Sequence, residues 1–290
     1  MENVNVFWRL NMKKGISTWS LPDRSPDASF SLAKECGFDG VEVGISDKGL
    51  LRLDSSEKEL YDFKKKADEY AMPLYSLVYD FCWHDSLSAS DPDVRKKGEE
   101  IVVRQLEIAS ILGCDTILVI PGMVKNPGDP ASEIVPYDVA YDRAFDSVCR
   151  LSEQAEKYNV NLALENVGNK LLLSPLETRD FIDKVNSPKV KAYFDVGNVM
   201  RFGYAEHWID ILGDRIAKVH FKDSKMEAKG ALSATDILEG ETNYPAVMAA
   251  LRRAGYDDWV TAEIFPQAGR DHKEFLMKNS KAMDTIINEM

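Results

Sequence analysis

Eight short, β-rich apolar runs alternate with eight helical patterns along the 290 residues, and this alternation predicts an α/β fold, a single-domain (β/α)8 TIM barrel. Two further observations agree. Several runs are near-continuously apolar, as parallel strands buried on both faces are, and no linker, low-complexity tract or short internal repeat interrupts the series. A doubly wound open sheet is the competing fold, but it expects a glycine-rich phosphate turn, and no G-x-G-x-x-G follows the first run.

Residues 1–14 read as an irregular N-terminal extension and residues 15–290 as the barrel. The first strand is expected over 15–21. Pro26-Asp27 then opens a helix carrying Phe30, Leu32, Ala33 and Cys36 until Gly37 stops it. The second strand is 40–45. Ser55/Ser56 with Glu59 resembles a capping box for a helix ending near Ala71, and the third strand is 74–79. A polar connection through His84 leads to Ser90-Asp91-Pro92, which starts a long helix ended by Gly113. The fourth strand is 116–120. Residues 124–136, rich in Pro, Gly and Asp, form a long loop on the side of the barrel where function resides, and are a candidate lid. Apolar residues at helical spacing mark 137–158, the fifth strand is 161–167, and Ser174-Pro175 opens the next helix. The sixth strand is 191–196, a short helix 206–212, and the seventh strand 216–221. Residues 224–242 read as irregular. Asn243 caps a helix with Pro245 in its first turn, 259–265 is the eighth strand, and 273–289 the closing helix.

The composition narrows the functions. A net charge of −12 opposes nucleic acid or an anionic membrane surface as partner. No apolar run reaches the roughly 18 residues that a membrane span needs, and the N-terminus has no long apolar core of a signal peptide, so a cytoplasmic protein is expected. Cys36, Cys82, Cys114 and Cys149 are widely spaced, form no C-x-x-C pair, and read as reduced thiols.

Four runs carry the chemistry: Leu162-Ala163-Leu164-Glu165-Asn166, Phe194-Asp195-Val196-Gly197-Asn198, Val219-His220-Phe221-Lys222-Asp223 and Thr261-Ala262-Glu263-Ile264-Phe265. Each delivers a metal-competent side chain at or near the end of an apolar strand, where barrel active sites lie. One such carboxylate is commonly a helix cap or an ion-pair residue. Three such carboxylates beside one histidine, on four successive strands, would repel one another when buried unless a cation joins them. Glu165, Asp195, His220 and Glu263 are therefore expected to bind one divalent metal. Three carboxylates and an imidazole suit Mn²⁺, the first choice, and also Mg²⁺, Co²⁺ or Zn²⁺. With Glu165 and Glu263 on non-adjacent strands, a chelated sugar fits between them. One carboxylate removing a proton beside a carbonyl and the other returning it epimerises the carbon, whereas moving the proton to the neighbouring carbon isomerises aldose and ketose.

At these residues the chain resembles the xylose isomerase-like sugar phosphate isomerase/epimerase superfamily, from about residue 15 to 287. Asp195-Val196-Gly197-Asn198 and His220-Phe221-Lys222-Asp223 look most like its ketose 3-epimerase branch. The resemblance implies a metal-dependent, homo-oligomeric ketose 3-epimerase acting on a small sugar or sugar phosphate, with Glu165 and Glu263 as both ligands and acid/base pair. The free-sugar 3-epimerases carry His three residues after the Asp ligand and Arg six after the His ligand; Asn198 and Met226 stand there instead, so their substrate specificity does not transfer. Relatives with two or three metals carry more histidines, and only His84, His207 and His272 remain here, which favours one metal per chain.

Six further residues are candidates for substrate contact. Lys222 offers a point charge to a phosphate or hydroxyl, or pairs with Asp223 or Asp195. Asn166 and Asn198 offer hydrogen bonds to sugar hydroxyls, or satisfy loop backbone. Trp19 and Glu42 are read as an apolar wall and a polar contact of the pocket, against a core tryptophan and a barrel-mouth ion pair. His84 is placed to reach the substrate from the third strand's loop, while His207 and His272 read as surface residues. The alternatives in function are an inosose-type dehydratase or an aldose–ketose isomerase on the same metal, and lastly a non-catalytic sugar-binding barrel.

Overall fold

Eight parallel strands pair side by side and close on themselves. The computed structural model describes residues 11–22, 25–46, 49–79, 81–228, 231–266 and 269–290. The strands are β1 (Lys13–Ser17), β2 (Gly40–Ile45), β3 (Leu74–Tyr79), β4 (Thr116–Val119), β5 (Asn161–Glu165), β6 (Val190–Asp195), β7 (Ile216–Phe221), β8 (Asp223–Met226), β9 (Leu232–Thr235) and β10 (Trp259–Ala262). The barrel order is β1-β10-β7-β6-β5-β4-β3-β2, and β1 closes it with Lys13 opposite Trp259 and Gly15 opposite Gly40. The helices are α1 (Pro26–Glu35), α2 (Glu57–Glu69), α3 (Pro92–Leu112), α4 (Tyr137–Tyr158), α5 (Pro175–Val185), α6 (Ala205–Leu212), α7 (Tyr244–Arg253) and α8 (His272–Glu289). The fold class read from the sequence is thus the fold observed.

The helices start where their caps predict. Ser56 and Glu59 form the reciprocal capping box of α2, and Asp91 with Pro92 opens α3. Gly113 ends α3 at φ +83°, a conformation in which a Cβ is strained.

β4, β5 and β10 end one to three residues short of expectation and β6 is shifted back by one, and three larger differences stand beside these. The barrel begins two residues early, because Lys13 and Lys14 pair with β10; the first ten residues of the expected extension lie outside the described residues. The first strand stops at Ser17, whose hydroxyl accepts the Trp19 N–H and caps a 3₁₀ turn, Thr18–Ser20. The stretch read as irregular instead holds the antiparallel hairpin β8–β9. Asp223 anchors it: its buried carboxylate accepts backbone N–H groups from Ser224, Leu238, Gly240 and Thr242 at 2.9–3.1 Å. The Tyr244 hydroxyl donates to the Lys222 carbonyl at 3.0 Å, so the chain entering the hairpin is held from both sides.

Aromatic and hydroxyl groups cross the barrel. Tyr75 stacks on Trp259 with ring centres 4.1 Å apart and bonds Thr261 at 2.8 Å, joining β3 to β10. At the N-terminal end the Lys218 ammonium is buried between Asp115 (2.9 Å) and Asp258 (2.6 Å). None of the four cysteines is in a disulfide. Among the described residues no helix is long and apolar enough to cross a membrane.

Candidate metal centre at the barrel mouth

Parallel register brings the four singled-out residues to one end of the barrel. Glu165 and Asp195 are the last residues of β5 and β6, His220 lies opposite Asp195 near the end of β7, and Glu263 follows β10 directly. The Glu263 N–H donates to the Phe221 carbonyl at 3.2 Å, which continues the β10–β7 ladder by one residue and aligns this side chain with the others. One ligand atom from each of Glu165, Asp195, His220 and Glu263 lies within 4.8 Å of all the rest.

The His220 ring is fixed from behind. Its Nε2 is 3.1 and 3.0 Å from the two Glu42 oxygens, which also receive the Ser76 hydroxyl at 3.1 Å and the Tyr193 hydroxyl. This turns Nδ1 toward Glu263 Oε2 at 3.5 Å, Asp195 Oδ2 at 3.7 Å and Glu165 Oε1 at 3.9 Å. Those distances are too long for hydrogen bonds. Asp195 Oδ2, His220 Nδ1 and Glu263 Oε2 are in fact buried without a hydrogen-bond partner. Three orphaned donor atoms facing one point, with a carboxylate behind the imidazole to set its tautomer, fit a divalent cation.

The electrostatics agree. Burial, reinforced by the Glu263 and Asp195 charges, pushes the Glu165 carboxyl up to about 7 against the pull of His220 and Lys222. Burial disfavours a charge on His220, but Glu42 and Glu263, helped by Asp195 and Glu165, outweigh it and hold the ring well above its ordinary value. The carboxylates therefore demand positive charge at the centre. A bound cation supplies that charge and leaves Nδ1 its lone pair.

Lys222 is the charge that meets these carboxylates. Its Nζ is 2.7 Å from Asp195 Oδ2 and in ion-pair contact with Glu263 Oε2. Of the two readings made from the sequence, the ion pair is the one seen here, with Asp195 and with Glu263. Its stem lies over Gly197, where a Cβ would collide with Lys222 Cγ and sit 3.0 Å from Cδ; Gly197 is there for close approach, its φ being an ordinary −83°.

The other candidates are placed as follows. Asn166 exchanges two hydrogen bonds with the Asp195 backbone, at 2.9 and 2.8 Å, so it satisfies backbone. Asn198 donates to Glu165 Oε1 at 3.2 Å and to the Asn166 carbonyl at 3.0 Å, orienting Glu165. Glu42 corrects the expected pocket contact: it is fully buried and committed to His220, Ser76 and Tyr193, beneath the cluster. Trp19 is half-buried in its 3₁₀ turn against Gly44. His84 is exposed in a cleft of about 510 Å³, together with Trp83 and Asn126, that none of the four cluster residues lines. The loop expected as a lid is closed on itself through Val135 N–H to the Val124 carbonyl and Lys125 to the Pro130 and Ser132 carbonyls. Tyr193 and Ser76 were not visible as participants in the sequence, where both read as ordinary strand residues.

Comparison with known proteins bears on the chain as a whole. The family profile described as xylose isomerase-like TIM barrel matches residues 30–281. An L-ribulose-5-phosphate 3-epimerase of Salmonella heidelberg (strain SL476) is 26% identical over 237 residues, covering 78% of this chain and 77% of that protein. A solved L-ribulose 3-epimerase superposes with a TM-score of 0.78 at 16% identity over 95% of this chain and 94% of its own. A D-psicose 3-epimerase solved in the presence of D-fructose gives 0.77 at 19% identity over 94% and 97%. At such identities the solved structures speak for the fold.

Proposed function

We propose that this chain, which belongs to the xylose isomerase-like TIM barrel family, is a metal-dependent epimerase of a small ketose or ketose phosphate. The observation that carries the reading is the pair Glu165 and Glu263, delivered by β5 and by the end of β10, strands separated by β6 and β7, around one cation-demanding centre. The names of its relatives, epimerases of ribulose 5-phosphate and of free ketoses, support the same class.

Glu165, Asp195, His220 and Glu263 are the residues that would hold the metal, Mn²⁺ by preference of the donor set. When bound, the ion supplies Lewis-acid stabilisation to the enediolate. The chain's own groups move the proton. One of the two glutamates takes it from the carbon beside the carbonyl, and the other returns it on the opposite face, which inverts that carbon. Asn198 keeps the Glu165 carboxylate oriented for its part in the transfer. Glu42 holds His220 in register, and the Asn166 side chain fixes the Asp195 backbone. The reading also carries a homo-oligomer, which sedimentation of the purified protein checks, and a cytoplasmic location, which fractionation of cells producing it checks.

Hydrogen exchange tests it. Ketoses and ketose phosphates incubated in deuterated water with Mn²⁺ are expected to gain deuterium beside the carbonyl, and Glu263→Gln should slow this by about 10²–10⁴-fold. Loss of water from the substrate would instead identify a dehydratase. Absence of exchange across the panel with metal bound would overturn the epimerase reading.

A further inference from the structure

Lys222 contacts Asp195 Oδ2 and Glu263 Oε2, the same two oxygens that His220 Nδ1 faces at 3.7 and 3.5 Å. The ammonium is in ion-pair contact with both oxygens. A divalent ion held by the four-residue cluster needs both oxygens, and two cations at contact distance from a shared pair of oxygens repel strongly where water is excluded. One of them has to leave, and only the lysine has somewhere to go. Its side chain is 22% exposed while Asp195 and His220 are at 0%. Its stem rests on Gly197, which offers no side chain to trap it.

We propose that Lys222 is the built-in counter-cation of the metal-free centre: it compensates Asp195 and Glu263 until a divalent ion displaces it outward, to the mouth of the barrel. This rests on the metal reading above and adds to it a competition between a side chain and the metal. The competition has two consequences. The metal-free centre stays folded despite three clustered carboxylates, and loading the metal presents a free ammonium where substrate enters.

The test uses metal affinity and stability, without turnover. In Lys222→Met, calorimetric titration with Mn²⁺ should show binding tighter than wild type by about tenfold or more, because the competing charge is gone. The metal-free variant should melt below metal-free wild type, and the gap should shrink at saturating Mn²⁺. Unchanged or weaker Mn²⁺ binding in the variant would overturn the proposal while leaving the metal reading intact. Wild type that binds no divalent ion would overturn both. A measurement on wild type guards against a variant that folds poorly: acylation of lysines, mapped by peptide mass spectrometry, should label Lys222 faster with Mn²⁺ than without. Equal or slower labelling would overturn the proposal.

Discussion

Strand β7 has a lysine near each end, and the two are opposites. Lys218, at the N-terminal end, is 1% exposed and reaches Asp115 and Asp258, which are 60% and 39% exposed. Lys222, just beyond the C-terminal end, is 22% exposed and reaches Asp195 and Glu263, at 0% and 11%. At the bottom a buried cation is served by solvated anions; at the mouth buried anions are served by a cation with access to solvent. A carboxylate that keeps its water loses little when its partner is absent, but a buried one needs a positive charge at all times. The bottom arrangement stabilises the barrel. The mouth arrangement keeps its anions ready for an exchangeable partner.

The comparison yields predictions that decline in size. Replacing both Asp115 and Asp258 by Asn should destabilise the fold by about 3 kcal/mol in urea unfolding, the low end for breaking a buried pair, since it leaves the buried Lys218 ammonium without a counter-charge. Mn²⁺ affinity should not change, and a change would dissolve the distinction between the two ends. Glu42→Gln should weaken Mn²⁺ binding about 10–100-fold in titration by loosening the His220 ring, with little effect on the barrel's bottom. Asp236 sharpens the rule, because it too is a buried carboxylate with more exposed cations, Arg270 at 2.7 Å and Lys278 at 2.7 Å. Burial pushes it up, but these two partners hold it lower, at about 2. A depressed folded-state value means stability that is present above the ordinary carboxylate range and lost as pH falls through about 2. Asp236→Asn should therefore remove at most about 2 kcal/mol at neutral pH and flatten the acid limb of the stability curve between about pH 4 and 2. Smallest is Gly197→Ala: its methyl group should push the Lys222 stem aside and lower the melting temperature of the metal-free protein by a few degrees, roughly a 1 kcal/mol effect. The metal-loaded protein, whose lysine has already moved, should be much less affected.

The four-residue cluster was legible because each member stands at or near the end of an apolar run, and a polar residue at that point of a parallel strand faces the mouth. Glu42 shows where reading stops. A charge inside the otherwise apolar β2 announces a buried partner, yet the partner, His220, is 178 residues away, and only the closed strand order puts it in reach. Asn198 lies one turn beyond Asp195, and its bond to Glu165 depends on how the β6 chain bends, which local spacing does not encode. The β8–β9 hairpin escaped because its strands pair only with each other and half of β8 faces solvent, so no apolar alternation marks them. The first strand was shifted for a similar reason, since the N-terminal residues Lys13 and Lys14 look like surface residues until β10 pairs with them.

The anchoring of the residue after Lys222 has a kinetic consequence. Asp223 ties the following loop together with four backbone bonds, and Tyr244 holds the Lys222 carbonyl. The main chain at this point is fixed, so the ammonium travels by rotation about its own side-chain bonds. Such rotations take picoseconds to nanoseconds in accessible side chains, against microseconds to milliseconds for a hinged loop. Ion uptake at this centre is then set by diffusion and by stripping water from the ion, and a stopped-flow trace of Mn²⁺ binding should show a single phase whose rate rises linearly with ion concentration.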